Sequence, residues 1–249
     1  KVKTKDFFYC ILKKLKKIPG VPFAYWIHKE LIKTFEKSNL ADTMVTKAGI
    51  VTGNNDLFMK NWYEVNFFKI KFNSIQFDDI YQTKWVPTNK GGGYRKWFGN
   101  IENIVNIRDI WDDSKVNKSV RRGDKNYYFK EGITWSTLSN VLGARKSDIG
   151  FVCDTKGSMA FPFNSNDIYR ILGIINSSFA TEVMNVLSPT LDFNKGYIEQ
   201  IPYVHIDEEE FIDLVKDNIK ISRNDWNNYE NSWAFLKSPL IEGNSIENA

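Results

Sequence analysis

From residue 45 to 163, short aromatic or β-branched runs alternate with clusters of glycine, asparagine and threonine. That alternation limits what the chain can fold into. Runs such as 62–70, 101–107, 127–129 and 149–153 are too short for three-turn helices and long enough for strands. Between them stand Thr52-Gly53-Asn54-Asn55, Asn89-Lys90-Gly91-Gly92-Gly93 and Thr155-Lys156-Gly157-Ser158, clusters of turn-forming residues. The stretch predicts an irregular β-rich domain with long loops.

Helical periodicity brackets this region. Residues 4–17 place Phe7, Phe8, Ile11, Leu12 and Leu15 on one stripe amid lysines, and Pro19-Gly20 ends that helix. A second amphipathic helix turns Ile27, Leu31, Ile32 and Phe35 inward. Ser165 and Asp167 open a long helix through Ile168, Ile171, Leu172, Ile175, Phe179 and Val183, stopped before Pro189. Gly173 inside it predicts close packing against a neighbour. Residues 207–220, opening with four acids, predict another helix. Ser222 with Asp225 predicts the capped start of a last one carrying Trp226, Tyr229 and Trp233. The tail is expected to pack through Phe211, Leu214, Trp226 and Trp233. The fold class is therefore α+β: two lead-in helices, a β-rich domain, a long packed helix and a C-terminal helical tail. Its divisions fall at 1–40, 41–205 and 206–249.

Charge is unevenly spread. Residues 1–20 carry seven Lys and one Asp, and residues 84–130 carry eleven basic against five acidic side chains, each a local +6. Residues 206–249 carry four basic against ten acidic, a local −6. Each run can be a solvated face. In the central run, however, glycines and aromatics are interleaved with the cations. Lys and Arg neutralise phosphates, glycine lets a backbone approach one, and Arg or Asn can take base edges. The candidate nucleic-acid contacts are Lys84, Lys90, Arg95, Lys96, Lys118, Arg121, Arg122 and Lys125. Tyr94 and Trp97 could stack, and Asn100 could reach a base. Composition alone also allows a solvated loop with Trp85 and Trp97 in the core.

Catalytic signatures are missing. Gly91-Gly92-Gly93 leads to no Lys-Ser or Lys-Thr, so it is not a P-loop, and no GxSxG or His–Glu metal pattern occurs. A DNA amino-methyltransferase needs an Asn/Asp-Pro-Pro-aromatic loop, and the chain has no Pro-Pro. Cys10, Cys153, His28 and His205 stand without partners at metal-ligand spacing, and Asp78-Asp79 and Asp112-Asp113 read as exposed acids. No catalytic residue, metal ligand or cofactor contact is expected. Nor does any apolar run reach the length of a membrane span, and a cytoplasmic setting is expected. Lys1 in place of Met suggests a fragment.

The order of motifs resembles the specificity domains of Taq-type and Eco57I-type adenine methyltransferases. Gly49-Ile50-Val51-Thr52-Gly53-Asn54-Asn55-Asp56-Leu57-Phe58 looks like their opening, and Leu172-Gly173-Ile174-Ile175-Asn176-Ser177 like their helix. The segment 194–202, closing on Ile201-Pro202, follows as in those domains. Further motifs resemble the PglX-like methyltransferases of BREX phage-defence systems, over nearly the whole chain. They are Lys17-Ile18-Pro19-Gly20 with Ala24-Tyr25-Trp26, Asn89-Lys90-Gly91-Gly92 with Arg95-Lys96-Trp97-Phe98-Gly99-Asn100, the segment 128–136, and Asp225-Trp226 with Glu230 and Ser232-Trp233.

The resemblance implies a parent enzyme that methylates the adenine amine with S-adenosylmethionine, flipping the base while the specificity domain holds the duplex. It implies a helical connector over 1–40, a DNA target-recognition domain over 41–205 and a helical segment over 206–249. Catalysis and S-adenosylmethionine belong to a domain missing from this chain. The implied partners are double-stranded DNA, that methyltransferase domain in cis and other defence-system proteins. Three alternatives remain: a protein–protein docking module carried by the aromatic C-terminal helices, a carbohydrate-binding module, and an enzyme in its own right. The basic stretches weigh against the second and the missing motifs against the third.

Overall fold

The computed structural model describes residues 15–241, apart from 23, 25, 189 and 207. The expected first helix lies outside the described residues as far as residue 14, as does Cys10. Among the described residues the chain is α+β, with eight strands in two four-stranded sheets. The strands are β1 (Met44–Lys47), β2 (Met59–Asn61), β3 (Val86–Asn89), β4 (Asn103–Val105), β5 (Gly132–Trp135), β6 (Ala144–Ser147), β7 (Val152–Cys153) and β8 (Met159–Pro162). Helices longer than one turn are α1 (Lys29–Thr34), α2 (Ile168–Asn176), α3 (Ser178–Leu187), α4 (Lys195–Glu199) and α5 (Glu209–Asn227).

The first sheet runs β1-β8-β5-β6 and is antiparallel throughout. Its core joins Ile133, Trp135, Ala144 and Ala160 to Ile171, Leu172 and Ile175 of α2 and Val183 of α3. Leu15, Ile18 and Ile32 enter the same cluster from the chain's beginning, and Val215 and Ile219 from α5. Each such aliphatic side chain contributes roughly 1.5–3 kcal/mol by leaving water. Residues from all three sequence divisions thus share one core.

The second sheet runs β2-β4-β3-β7. Strand β3 pairs antiparallel with β4 at Val86 and Pro87, then parallel with β7 at Thr88 and Asn89. Pro87 has no N–H to donate, and the β7 ladder begins only beyond it. Ile50, Phe58, Ile80, Val86, Val105, Ile107, Ile110, Tyr128, Phe129 and Val152 fill this sheet's own core.

Four expectations are corrected. Residues 127–129, expected as a strand, are the end of a 3-10 turn (Lys125–Tyr127) and the turn that follows it. Residues 62–70 form two 3-10 turns, Trp62–Glu64 and Phe67–Lys69, rather than a strand. The Glu64 carboxylate accepts from the Asn61 amide at 2.6 Å and the Asn66 side chain from the Phe68 amide at 3.0 Å, so local side chains take donors a ladder would need.

The long helix after residue 165 is two helices. Ser177 is extended (φ −74°, ψ 160°), and its Oγ accepts from the Ala180 amide at 3.1 Å to start α3.

The tail, conversely, is one helix where two were expected. Ser222 lies inside α5, and its hydroxyl donates to the carbonyls of Lys96 and Phe98 at 3.1 and 3.2 Å instead of capping. The inward stripe of α5 runs 211, 215, 219, 222 and 226, which leaves Leu214 exposed, contrary to its expected packing. Phe211 and Val215 press on Gly173, where an added Cβ would lie 2.5 Å from the Phe211 ring. That contact is why glycine stands in the middle of α2. Trp226 is buried with Phe98, Ile101 and Phe151, and Trp233 packs on Phe72 and Phe151.

Candidate nucleic-acid interface

The sequence-derived cations fall into two groups. Those of residues 95–100 face inward or against α5. The Arg95 guanidinium donates to Asp225 at 2.9 Å and lies 5.1 Å from the Trp226 ring centroid. Lys96 Nζ donates to the Asn176 carbonyl at 2.8 Å, at the end of α2. Trp97 packs against the first core, with its amide donating to the Ala144 carbonyl and its own carbonyl accepting from Lys146, both at 2.8 Å. It does so with φ 71°, a left-handed conformation that a bulky residue rarely adopts. Asn100, at φ 56°, donates from Nδ2 to the Gly93 carbonyl at 2.8 Å. Asn176 completes the joint, since its side-chain amide donates to and accepts from the Ala144 backbone at 3.0 and 2.9 Å. The Lys146 ammonium behind the joint pairs with Glu131 and Asp148, and Asp148 also holds Arg223 of α5 at 2.8 Å.

Within the second group, Lys90 follows β3 and Lys118 and Arg121 lie on the loop bridged to residue 51, whereas Lys84 precedes β3 and meets Asp109 after β4, at the opposite end of that strand. Residues 49–52 are stitched between two loops. The Ile50 amide donates to the Cys153 carbonyl and the Thr155 amide to the Ile50 carbonyl, while Val51 and Arg121 exchange amide–carbonyl bonds of 2.8 and 2.9 Å. Gly49 permits this: at φ 77° its missing Cβ would lie 2.1 Å from the Cys153 carbonyl oxygen. The Asp154 amide donates to the Asn89 carbonyl at 2.9 Å and draws in the turn after β3. Gly53 lies against Asn117 and Ser119. Lys90, Lys118, Arg121 and Lys156 are thereby carried on adjoining loops.

These cations differ in what they are bound to. Lys84 and Lys115 both reach Asp109, at 3.3 and 2.9 Å. Burial raises the Asp109 carboxyl, but hydrogen bonds from Lys115, Asn106 and Lys84 outweigh it and hold the group below the usual carboxylate range. Arg122 pairs with Asp113, donates from Nε to the Ile110 carbonyl at 2.9 Å and lies over the Trp111 ring. Lys125 Nζ stands 5.4 Å from the Phe77 ring centroid. Among the described residues, no ion pair engages Lys90, Lys118 or Arg121. The same holds for Lys156, which sequence reasoning missed, and for Arg108, which follows β4 at the opposite end of β3 from Lys90. Lys156 stood in a turn cluster with no neighbouring cation, and only the long-range bridge through residue 50 brings it to the Lys90 end. Tyr94 is exposed.

The chemistry open to these residues is binding. An S-adenosylmethionine site would need a strand running through a glycine turn into a helix. After β3, Gly91-Gly92-Gly93 leads instead into the irregular segment 94–100, so this turn does not fit that group. Among the described residues, no cluster of three or more His, Cys, Asp or Glu could hold a metal. Both carboxylate oxygens of Asp79 are occupied by Lys71 and by the amides of Ile75 and Gln76. Cys153 is buried, and desolvation pushes its thiol up to about 12, so it stays protonated and unreactive at neutral pH. No helix among the described residues is long and apolar enough to cross a membrane.

Over most of its length the chain is similar to part of known adenine-specific methyltransferases. It is 36% identical over 236 residues to "Adenine-specific methyltransferase PglX" of Lacticaseibacillus casei (strain Zhang), a match covering 91% of this chain and 20% of that protein. It is 37% identical over 230 residues to "Adenine-specific methyltransferase BrxX" of Escherichia coli O9:H4 (strain HS), covering 91% and 18%. The chain thus spans about a fifth of the length of these curated relatives. No protein-family profile matches it.

Proposed function

We propose that this chain is the DNA target-recognition part of an adenine-specific DNA methyltransferase that uses S-adenosylmethionine bound in another domain. The carrying observation is the match to a fifth of two adenine-specific methyltransferases, in a chain without a Pro-Pro catalytic loop or a donor-binding turn. The adjoining loops supply the matching surface, because Lys90, Lys118, Arg121 and Lys156 are engaged in no ion pair among the described residues and can neutralise phosphates. Arg122 and Lys125 border it with their charge partly spent, and Lys84, at the other end of β3, is paired with Asp109. Arg95, Lys96 and Trp97 support the surface from behind. A cytoplasmic setting and other defence-system proteins as partners belong to the same reading.

The docking alternative relied on the aromatic C-terminal helices. Trp226 and Trp233 are used in packing, whereas Tyr229, Leu236, Leu240 and Ile241 stay exposed, so any such docking would rest on those residues.

Binding of the chain to duplex DNA, measured across salt concentrations, tests the proposal. Affinity should fall steeply as salt rises, by about 0.9 log unit per log unit of salt for each neutralised phosphate. No labelled methyl group should pass from S-adenosylmethionine to DNA with this chain alone. Salt-insensitive binding, or methyl transfer by the isolated chain, would sink the proposal.

A further inference from the structure

Beneath the turn after β3 lies Arg145, on β6, only 1% exposed. No carboxylate among the described residues pairs with it, and its Nε has no acceptor. Its other donors meet neutral oxygens: the Arg95 carbonyl at 3.4 Å, the Gly91 carbonyl at 3.3 Å and Ser136 Oγ at 3.5 Å. Burial, with some repulsion from Arg95, lowers its pKa to about 10, which leaves it charged at neutral pH. A buried cation without a counter-charge is costly, and its field reaches farther through a poorly polarisable interior than through water.

In the turn above, the carbonyls are used and the amides are not. Arg145 and Asn100 occupy the carbonyls of Gly91 and Gly93. Among the described residues, the amides of Gly92, Gly93 and Tyr94 donate to no protein acceptor. Gly92 and Gly93 are exposed, and Gly91 and Gly92 have φ 96° and 100°. Successive free amides in such a turn make a concavity suited to an anion. Lys90 adjoins it. Asp154 is the nearby acid: burial raises its carboxyl, which accepts from the Lys156 amide at 2.8 Å, and Lys90 and Lys156 offset its charge.

We infer that the Gly91–Gly93 turn, with Lys90 beside it and the Arg145 guanidinium beneath it, is a binding site for a phosphate group. On the reading of function above, on which this partly rests, that group is a phosphodiester of the DNA backbone. A free phosphate would present the same oxygens. The turn then supplies amide donors and the uncompensated guanidinium supplies the charge, so binding an anion relieves an electrostatic cost already present in the protein.

Gly93 gives a clean test, because a Cβ added there meets nothing within 4 Å and a side chain can be placed without disturbing the fold. Gly93→Asp puts a carboxylate at the site, and Gly93→Asn is its neutral control. Both should melt like the parent chain. At matched salt Gly93→Asp should lose at least about ten-fold in duplex affinity, and Gly93→Asn far less. In parallel, NMR titrations of the parent chain with duplex DNA and with inorganic phosphate follow the Gly92 and Gly93 amides. Shifts with the duplex, lost in Gly93→Asp, assign the site to the DNA backbone. Saturating shifts with inorganic phosphate but no duplex binding by any variant keep the site as a free-phosphate site and overturn the DNA reading. Salt-steep duplex binding equal in both variants, with neither ligand moving the two amides, keeps the DNA reading and overturns this site.

Discussion

Arg95-Lys96 and Lys118 with Arg121 are built from the same residue types, in loops of similar texture, and the fold uses them in opposite ways. The first pair is bonded to parts of the chain remote in sequence: Arg95 to Asp225 and Trp226, Lys96 to the end of α2. The second pair lies on a loop held by its backbone, through the Val51–Arg121 bridge and the Asn117–Ser119 turn, with both side chains exposed. The difference lies in what passes behind each loop. Helix α5 runs along residues 95–99 and uses Ser222, Arg223, Asp225 and Trp226 to hold them. Among the described residues, no element covers Lys118 and Arg121. A basic, aromatic-rich segment can therefore be a structural joint as readily as a binding surface, and the two uses separate experimentally.

The largest expected effect is at the joint's centre. Trp226→Ala removes a buried indole from between Phe98, Ile101 and Phe151 and should cost ~3–5 kcal/mol of stability by urea denaturation. A loss under 1 kcal/mol would mean that α5 does not hold the loop.

Next comes Lys96→Met, which keeps most of the aliphatic volume but removes the charge-assisted bond to the Asn176 carbonyl. It should cost about 1–2 kcal/mol while leaving the salt dependence of duplex binding unchanged. A flatter salt slope for the folded variant would put Lys96 on the DNA and erase the contrast.

The smallest stability effect belongs to Lys118→Ala combined with Arg121→Ala. Unfolding free energy should stay within ~0.5 kcal/mol of the parent. The salt slope of duplex binding should become shallower by up to about two units if both touch phosphate. The contrast sharpens if this pair moves only the slope and Trp226→Ala moves only stability. It breaks if the pair leaves the slope alone.

What the sequence by itself determined is local. The α+β texture, the glycine turns at 49–53 and 91–93, helix α1, the helical character of 168–187 and 209–227 though not its division into elements, and the close approach at Gly173 follow from periodicity and conformational preference within a few residues. So does the lack of a Pro-Pro catalytic loop. Tertiary structure decided the rest. Ser177 breaks a helix whose apolar period runs on, because its hydroxyl caps the next one. Ser222 leaves a helix unbroken where a cap was expected, because its hydroxyl finds carbonyls 126 and 124 residues away. Lys96 meets its acceptor 80 residues on, and Arg145 is enclosed by segments 54 and 50 residues upstream. A hydrogen bond is worth the same to the protein whether its partner is three residues away or a hundred. A sequence displays only the near partners, so whether a cation is free or bound is settled when distant segments pack around it.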